Sequence, residues 1–442
     1  MTPDEFRVAA HQASDWAADF LRDVRNYPVL AQTEPGAFAA TQPATAPEQG
    51  AAFDQILSDF QQLVVPGVTH WNHPRFFAYF VTSASGPGIL GEMLAAALNS
   101  NHMLWRTGPS PTELEQVTLG WLRQWMGLPD TFFGVIHDTA TTSIMHAMLA
   151  AREQASPQTR LTGEFPSLVS YQSEHANLAC DKAALAAGVG RNNIRKVPSD
   201  SAYRMNAKML DAYIEEDLAI GKRPLCVIAT VGTTSTASID PVREIAEVCR
   251  EYGVWLHVDA AYAGPAAVLE EYRHILDGAD LADSLCVNPH KWMFTPMDLS
   301  ALYIRHPEIM RRVFSLEDTP PYIESNESGL NLEEYVLPVG RRFRALKLWF
   351  VLRTFGREGI ARMLRAQRYD AIIDAQGLFK SMLIALAARG RRFGLDASSS
   401  REPFGFLYDG TFRIPWTLHA VERNRLLAAH VLGYALPAVC RY

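Results

Sequence analysis

Short apolar runs alternate with amphipathic helical patterns between residues 85 and 310, and this alternation constrains the fold more than any other feature. The clearest runs are Gly134–Ile136, Ser167–Tyr171, Leu225–Thr230, Val254–Val258 and Ser284–Val287. Such runs between helical segments are typical of an α/β domain with a largely parallel sheet. Because ligands of these sheets bind beyond the carboxyl ends of the strands, the residues that follow each run form the candidate site.

The two ends of the chain differ from this central region. Residues 1–65 contain two segments with helical spacing of apolar side chains, Phe6–Leu21 and Phe53–Leu63. From Gln367 onward there are ten Lys/Arg against six Asp/Glu, although the whole chain has a net charge of −7. Helical and strand patterns also become hard to read there, so the sequence constrains the tail least.

The composition argues against several classes of protein. A net charge of −7 without a basic stripe argues against a nucleic-acid partner. No run approaches 18 apolar residues, so no membrane span is expected, and the acidic start Met1–Glu5 lacks the features of a signal peptide. The five cysteines are odd in number, widely spaced and without a C-x-x-C pair. This pattern indicates reduced thiols in the cytoplasm, and neither a disulfide framework nor a zinc site.

The most informative motif is Asn288–Trp292, which contains Lys291. The apolar residues 292–294 argue against a solvated lysine, and a desolvated amine has a lowered pKa that favours imine chemistry. The motif His257–Ala261 ends another apolar run and places Asp259 at a strand end. A reactive lysine and a buried aspartate at strand ends are what pyridoxal phosphate needs, as an aldehyde anchor and a partner for the pyridinium nitrogen.

Two hydroxyl-rich turns follow other strand-like runs. Thr139 and Thr141 stand where hydroxyls and free backbone N–H groups at a helix N-terminus can hold a phosphate. An ordinary N-cap cluster, with Asp138 as the cap, is the alternative reading of the same residues. The second turn follows Thr230 and places Thr234 in the cleft of such a cofactor.

The histidines near these motifs have simpler interpretations. His257 and Asp259 share one face of a strand and could suggest a metal, but no third ligand and no H-E-x-x-H motif accompany them. No metal is therefore predicted, and Asp259 could equally be a carboxylate that caps the following segment. His70 and His73 are predicted to be hydrogen-bonding histidines in the aromatic connector Thr69–Phe80.

Together these motifs resemble the group II pyridoxal-phosphate-dependent amino-acid decarboxylases, and most of all the aromatic-L-amino-acid decarboxylase branch. The motifs that carry the resemblance, in chain order, are Thr69–Phe80, Pro111–Glu115, Gly232–Thr234, His257–Gly264, Asn288–Trp292 and Gly340–Arg344. The resemblance runs from about residue 1 to residue 366.

The resemblance implies an α/β protein of fold type I that forms a homodimer with the active site at the interface. It implies a large domain with a mostly parallel seven-stranded sheet flanked by helices, a helical N-terminal segment and a small C-terminal domain. These parts are expected at residues 85–345, 1–84 and 346–442, and the last of them is expected to be truncated or atypical.

The resemblance also assigns roles to matching positions. Lys291 is expected to be the Schiff-base lysine and Asp259 the pyridinium partner, with Ala261 on one face of the ring. The other cofactor contacts are expected at Thr139, Ala140, Thr141, Thr234, Asn288 and His290. The substrate pocket is expected to be shaped by Trp71, Tyr79, Phe80, Thr82 and Met103.

Two residues are expected to decide whether the reaction yields an amine or an aldehyde, and they favour different products. Asn177 stands where the family usually has a histidine that stacks on the cofactor ring, and a carboxamide can stack there but cannot shuttle a proton. In relatives with Asn at this position, oxidative deamination to an aldehyde competes with simple decarboxylation; His175 could compensate or could point away. Tyr322 resembles the loop tyrosine that protonates the substrate carbon after CO2 leaves, and it favours simple decarboxylation.

The sequence therefore predicts a cytoplasmic carboxy-lyase that binds pyridoxal 5'-phosphate and converts an L-amino acid, aromatic by its pocket, to the amine and CO2. Two alternatives remain open. One is an aldehyde synthase on the same scaffold, favoured by Asn177. The other is a non-catalytic product, which would follow if residues 367–442 are a frameshifted or truncated tail; genuine divergence of the small domain would explain the same composition.

Overall fold

The computed structural model describes residues 1–31, 33–76, 78–80, 82–315, 329–365, 368–378, 381–382, 385–386, 389–402 and 404–436. Contacts between Cα atoms divide the chain into two compact units, Met1–Glu358 and Gly359–Tyr442. The first unit contains both the predicted N-terminal segment and the predicted large domain. Their separation at residue 84 and the boundary at residue 345 stay predictions.

Thirteen of the described helices begin in the first unit. They are α1 Pro3–Asp23, α2 Ala37–Ala40, α3 Phe53–Asp59, α4 Gly86–Leu98, α5 Pro109–Met126, α6 Ala140–Ala155, α7 Gln158–Thr162, α8 Leu178–Ala186, α9 Ala207–Ala219, α10 Val242–Tyr252, α11 Pro289–Trp292, α12 Pro307–Phe314 and α13 Ala345–Arg365. The last of these has a non-helical residue inside it, Gly356, at φ 61°. None of the helices within the described ranges is long and apolar enough to cross a membrane.

The N-terminal segment is helical, as predicted. Helix α1 begins with a capping box, in which the Thr2 hydroxyl accepts from the Glu5 N–H at 3.2 Å and the Glu5 carboxylate accepts from the Thr2 N–H at 2.6 Å. Between the two predicted helical patterns lies the one-turn helix α2.

Seven strands form the central sheet of the first unit. They are β1 Phe133–His137, β2 Leu168–Ser173, β3 Ile194–Val197, β4 Arg223–Thr230, β5 Trp255–Asp259, β6 Ser284–Val287 and β7 Ser300–Ile304. Their order is β1-β7-β6-β5-β4-β2-β3. Strand β7 is antiparallel to both neighbours, and the other pairings are parallel. This is the mostly parallel seven-stranded sheet expected from the sequence.

The strands are continuous apolar runs because both faces of the sheet are covered. Every residue of β5 and β6 is buried, and a core cluster packs α6 and α8 against one face of the sheet. The five runs recognised in the sequence all fall on strands. Strand β3 lacks such a run because its first three residues are only half-buried or exposed.

A buried ion pair links α5 to the segment before α13. One carboxylate oxygen of Glu115, a residue that is 1% exposed, accepts from the Arg341 guanidinium at 2.6 Å and from the Ile136 N–H at 2.9 Å. Two of the motifs that carry the family resemblance, Pro111–Glu115 and Gly340–Arg344, therefore meet in a single contact.

The second unit has a small sheet of its own. Strands β8 Arg368–Asp374, β9 Arg389–Leu395 and β10 Gly410–Phe412 are parallel, in the order β10-β9-β8. A helix, α14 Ala420–Leu432, follows them, and Leu395, Ile414 and Leu427 form the core of this unit.

Candidate active site

The carboxyl ends of four strands bring the predicted site residues to one edge of the sheet. The parallel register pairs Thr230 with Asp259 and Asp259 with Cys286, which places Asp259 between the ends of β4 and β6. Because β7 is antiparallel to both β6 and β1, the latter runs in the same direction as β6. The start of α6, three residues after β1, therefore lies at this same edge.

Asp259 is held by its neighbours through one carboxylate oxygen. The residue is 6% exposed, and its Oδ1 accepts from the Ala261 N–H at 3.1 Å and from the Cys286 thiol at 3.6 Å. Its Oδ2 has no hydrogen-bond donor among the described residues. One oxygen is thus fixed by the protein and the other is available to a ligand.

Lys291 lies in α11, directly after β6. Its Nζ is 4.6 Å from the centre of the Phe80 ring and 5.8 Å from that of Tyr262, and it forms no ion pair within the described part of the chain. Burial lowers the pKa of this amine, and the nearby Asp259 carboxylate partly opposes that shift. A larger fraction of the amine is therefore neutral and nucleophilic than for a solvated lysine.

The serine Ser83 fixes the backbone of the lysine turn. Its N–H and its hydroxyl both donate to the Lys291 carbonyl, at 2.8 and 3.1 Å, and its hydroxyl oxygen accepts from the Phe294 N–H at 2.9 Å. The Ser85 hydroxyl adds a bond to the Phe294 carbonyl at 2.7 Å. Sequence reasoning missed both serines because they lie more than 200 positions from their partners.

Donors for an anion gather beside the lysine. The Nδ1 of His290 accepts from the Leu299 N–H at 2.9 Å, so the ring hydrogen is on Nε2. Burial and the neighbouring Lys291 lower the pKa of His290 to about 4, which keeps the ring neutral. Asn288 is 3% exposed, and its amide nitrogen, the donor of this side chain, lies 3.4 Å from the Nε2 of His290.

Helix α6 adds backbone donors at the same edge. Thr139 is its N-cap and makes no capping bond with its side chain, while the Thr139 N–H is satisfied by Asp138 at 2.6 Å. The N–H groups of Ala140, Thr141 and Thr142 are in the first turn, where no helical carbonyl can accept from them. This arrangement suits a phosphate. Asp138, the cap in the alternative reading, is not the N-cap of α6: it accepts from the N–H of the N-cap residue itself.

Asn177 and Thr234 are in direct contact. Asn177 is the N-cap of α8: its Oδ1 accepts from the Ala179 N–H at 2.9 Å, and its Nδ2 donates to the Thr234 hydroxyl at 2.8 Å. The carboxamide is thereby fixed at both ends. Two residues predicted separately as cofactor contacts belong to one hydrogen-bonded pair.

His175 has other partners. Its Nε2 lies 3.2 Å from the Ser199 hydroxyl and its ring packs edge-on against Tyr203, with centroids 5.4 Å apart. Neither of these contacts is a predicted site residue, so the compensating role considered for His175 has no geometric support among the described residues.

Three of the five predicted pocket residues form an aromatic cluster next to Lys291. The Trp71 ring stacks on Tyr79 at 5.4 Å and meets Phe80 edge-on at 5.5 Å. Tyr79 is 78% exposed and has a left-handed backbone, with φ 55°. Thr82 is half-buried two residues after Phe80, whereas the sulfur of the half-buried Met103 lies 3.8 Å from the Asn101 amide. Tyr322 lies outside the described residues.

The histidines that drew attention in the sequence have structural partners. His73 contacts the Arg25 carbonyl at 3.3 Å and accepts from the Arg75 N–H at 2.9 Å, as predicted for a hydrogen-bonding histidine of the connector. His70 packs against Phe20 and Tyr27. His257 lies 2.8 Å from the Ser284 hydroxyl.

The polar groups at this edge fit pyridoxal phosphate. Among the described residues, a lysine amine outside any ion pair, a carboxylate oxygen without a donor, a neutral histidine ring and the first turn of a helix match an aldehyde, a pyridinium nitrogen and a phosphate. The residues that would hold these parts are Lys291, Asp259, His290, Asn288 and Thr139–Thr141.

Comparison with known proteins agrees with this chemistry. The family model described as the pyridoxal-dependent decarboxylase conserved domain matches residues 35–378. An aromatic-L-amino-acid decarboxylase of Catharanthus roseus is 38% identical over 365 residues, which are 80% of this chain and 72% of the relative. A bovine protein of the same name is 38% identical over 384 residues, 83% of this chain and 78% of the relative.

Solved structures of enzymes with related names are also similar to this chain. The tryptophan decarboxylase of Catharanthus roseus in complex with L-tryptophan superposes with a TM-score of 0.77 at 36% identity, over 83% of this chain and 78% of that one. The 4-hydroxyphenylacetaldehyde synthase of Rhodiola rosea also has a TM-score of 0.77, at 30% identity over the same shares.

The tail matches a different family. The model of glycosyltransferase family 9 (heptosyltransferase) matches residues 357–442. The segment whose composition changes at Gln367 thus resembles the sequence of a known family. The match covers a minor part of the chain and assigns no glycosyl transfer to it.

Proposed function

Because the chain belongs to the family of pyridoxal-dependent decarboxylases, we propose that it removes the carboxyl group of an aromatic L-amino acid as CO2 and releases the amine. As a member of the family it is a pyridoxal-phosphate-dependent carboxy-lyase that acts on an amino acid. The aromatic assignment rests on one observation: the lysine amine lies 4.6 Å from the Phe80 ring, in a cluster with Trp71 and Tyr79. An apolar ring on the substrate would complete this cluster.

The residues at the carboxyl edge of the sheet have separate roles toward the cofactor. Lys291 supplies the amine that binds the cofactor aldehyde, and Oδ2 of Asp259 holds the proton on the ring nitrogen. When bound, the cofactor serves as the sink for the electrons left on Cα as CO2 departs. Ala261 and the fixed carboxamide of Asn177 would cover the two faces of the ring, and Thr234 would lie beside the lysine.

The other predicted site residues keep proposed roles. His290, Asn288, the N-cap Thr139 and the following residues Ala140 and Thr141 bind the phosphate through neutral donors. Thr82 and Met103 complete the substrate pocket around the aromatic cluster. Tyr322, outside the described residues, is the proposed donor of the proton that replaces CO2.

A homodimer is part of this proposal. Helices α1, α3 and α4 line an apolar groove of about 560 Å³, and Phe6 and Leu90 at its border are 55% and 51% exposed. Apolar surface of this extent on helices is typical of a subunit interface. We assign the groove to a second copy of the chain, with the active site at the interface. The cysteines Cys180, Cys226, Cys249 and Cys286 are free, which suits the reducing cytoplasm.

Product analysis tests the proposal. Protein saturated with pyridoxal phosphate should release equal amounts of CO2 and amine from at least one of phenylalanine, tyrosine, DOPA and tryptophan. The Lys291→Ala variant should lose both this activity and the visible absorbance of the bound cofactor. Amine from glutamate alone, or no difference between Lys291→Ala and the parent, would overturn the proposal.

An aldehyde synthase is the second candidate, and Asn177 favours it. A carboxamide held by Ala179 and Thr234 cannot transfer a proton at neutral pH, and the structural neighbour from Rhodiola rosea is an aldehyde synthase. In that reaction O2 is consumed, and aldehyde, ammonia and hydrogen peroxide accompany CO2. Amine without oxygen uptake would exclude this candidate.

A further inference from the structure

Cys286 makes a contact with Asp259 that none of the roles above includes. Its sulfur lies 3.6 Å from Oδ1 of Asp259, within the range of a thiol hydrogen bond, and the residue is fully buried. The parallel pairing of β5 with β6 puts the two residues in register, so their side chains are on the same face of the sheet. The contact follows from the strand pairing, and Asp259 needs no rearrangement to make it.

The two donors to Asp259 converge on the same oxygen. The Ala261 N–H reaches Oδ1 from the following turn at 3.1 Å, and the thiol reaches it from the neighbouring strand. A carboxylate held by one donor can still rotate about its Cβ–Cγ bond, whereas two donors from different elements fix its plane. Oδ2 is then presented to the ligand in one orientation.

The thiol is held in its donor form. Burial raises the pKa of Cys286 well above its usual value, and the adjacent Asp259 carboxylate and Cys180 add to that shift. A thiolate would place a second negative charge beside the carboxylate. The sulfur therefore keeps its proton over the working range of pH and can only donate to Asp259.

We propose that Cys286 is a positioning residue for the cofactor, acting through Asp259: its S–H fixes Oδ1 so that Oδ2 faces the pyridinium nitrogen. This inference rests on the proposed function, since it takes Asp259 as the partner of that nitrogen. A buried cysteine often serves only as a small apolar residue, so the test must separate hydrogen bonding from packing.

Three variants make this separation. Cys286→Ser keeps a donor, Cys286→Ala removes it, and Cys226→Ala is the matched control. Cys226 is also fully buried, on β4, the strand on the other side of β5, but its sulfur contacts the Val227 carbonyl. The measurements are the dissociation constant of pyridoxal phosphate for the apoprotein, the pH midpoint of the visible band of the bound cofactor, and the Tm of the apoprotein.

We expect Cys286→Ala to weaken cofactor binding about fivefold, because one weak hydrogen bond to a charged group is lost. The same variant should raise the pH midpoint of the visible band of the bound cofactor. Cys286→Ser and Cys226→Ala should bind the cofactor within about twofold of the parent, because one retains the donor and the other never touched Asp259. If Cys286→Ala does not fold, Cys286→Val replaces it, because valine also lacks a donor and can be compared with the donor in Cys286→Ser.

Equal effects of Cys286→Ala and Cys226→Ala, or a Cys286→Ser variant that behaves like Cys286→Ala, would assign Cys286 to packing and overturn the inference. So would parent-like binding and an unshifted band in Cys286→Ala. A parent protein that binds no pyridoxal phosphate would instead refute the proposed function, so the two failures are distinguishable.

Discussion

The amide nitrogen of Asn177 donates to the hydroxyl of Thr234 across 2.8 Å, which joins the start of α8 to the turn after β4. The same carboxamide accepts from Ala179 on its other side. A carboxamide that is hydrogen-bonded at both ends contributes a flat, neutral surface to the site. The protonation step that follows the loss of CO2 must then be served by another group.

If the protein forms aldehyde, as the second candidate function requires, replacing Asn177 with histidine should shift its products toward amine. A histidine can carry a proton to the substrate carbon, and a well-placed general acid contributes about 10²–10⁴-fold to such a step. We expect the ratio of amine to aldehyde to rise by about 10²-fold, the low end of that range. Quantifying amine, ammonia and peroxide from one aromatic substrate measures this ratio.

The Asn177→Ala variant is the control for that experiment. It removes the N-cap and the bond to Thr234 without adding an acid, so stability should fall by about 1 kcal/mol with no gain in amine. An unchanged product ratio in Asn177→His would show that the position does not control the proton.

The Ser83→Ala variant should loosen the lysine turn. It removes the hydroxyl bonds to Lys291 and Phe294, each worth about 1 kcal/mol, and we expect cofactor affinity to drop by about tenfold. Fluorescence titration of the apoprotein with pyridoxal phosphate gives the dissociation constant. The exposed Ser201 is a matched site, and Ser201→Ala should bind like the parent; equal losses in both variants would contradict the prediction.

Acid should destabilise the protein through buried histidines, among them His137, whose pKa burial lowers well below its usual value. Burial lowers the pKa of His146, His257 and His290 to about 4, from about 6.5 in the unfolded chain. Between these values the unfolded state binds more protons, so stability present above pH 6.5 is lost as the pH falls toward 4. Each histidine contributes up to about 1.4 kcal/mol per pH unit in this window.

The Tm of the apoprotein between pH 7.5 and 4.5 tests this dependence. In His146→Gln, where one of these titrating groups is gone, the curve should be flatter than in the parent. A parent Tm that is constant down to pH 4.5 would be incompatible with neutral buried rings.

Breaking the Glu115–Arg341 pair should cost far more stability than breaking an exposed one. Glu115→Ala leaves a buried guanidinium uncompensated, and we expect a loss of about 3–5 kcal/mol in the free energy of unfolding. The comparison is Asp277→Ala, which breaks the exposed pair with Arg243 and should lose less than about 1 kcal/mol. Urea unfolding of the two variants gives both values; similar losses would argue against the buried geometry.

The sequence predicted most of the sheet and the ends of its strands. Continuous apolar runs are readable because a doubly covered strand needs them at every position, and Lys291 and Asp259 stand at the ends of such runs. It could not predict the Ser83 contact, because nothing local marks a serine whose partner is 208 residues away.

Other site features escaped for different reasons. Cys286 is indistinguishable from a core residue in an apolar strand until the register places it opposite Asp259. The side chain of His175 could not be oriented from its position after β2, since a turn fixes no face. Its contacts with Ser199 and Tyr203 emerged only from the fold.

The direction of the strands has a practical consequence. Every candidate site residue that follows a strand is at the carboxyl edge, whereas Gly221 and Gly253 precede β4 and β5 at the opposite edge, with nothing within 4 Å of an added side chain. Both have a left-handed backbone, so the adjoining turns suit an insertion better than a direct substitution. A dye or a surface tether placed in those turns would be separated from the cofactor by the full length of a strand. Protein immobilised through them should therefore retain its catalytic activity.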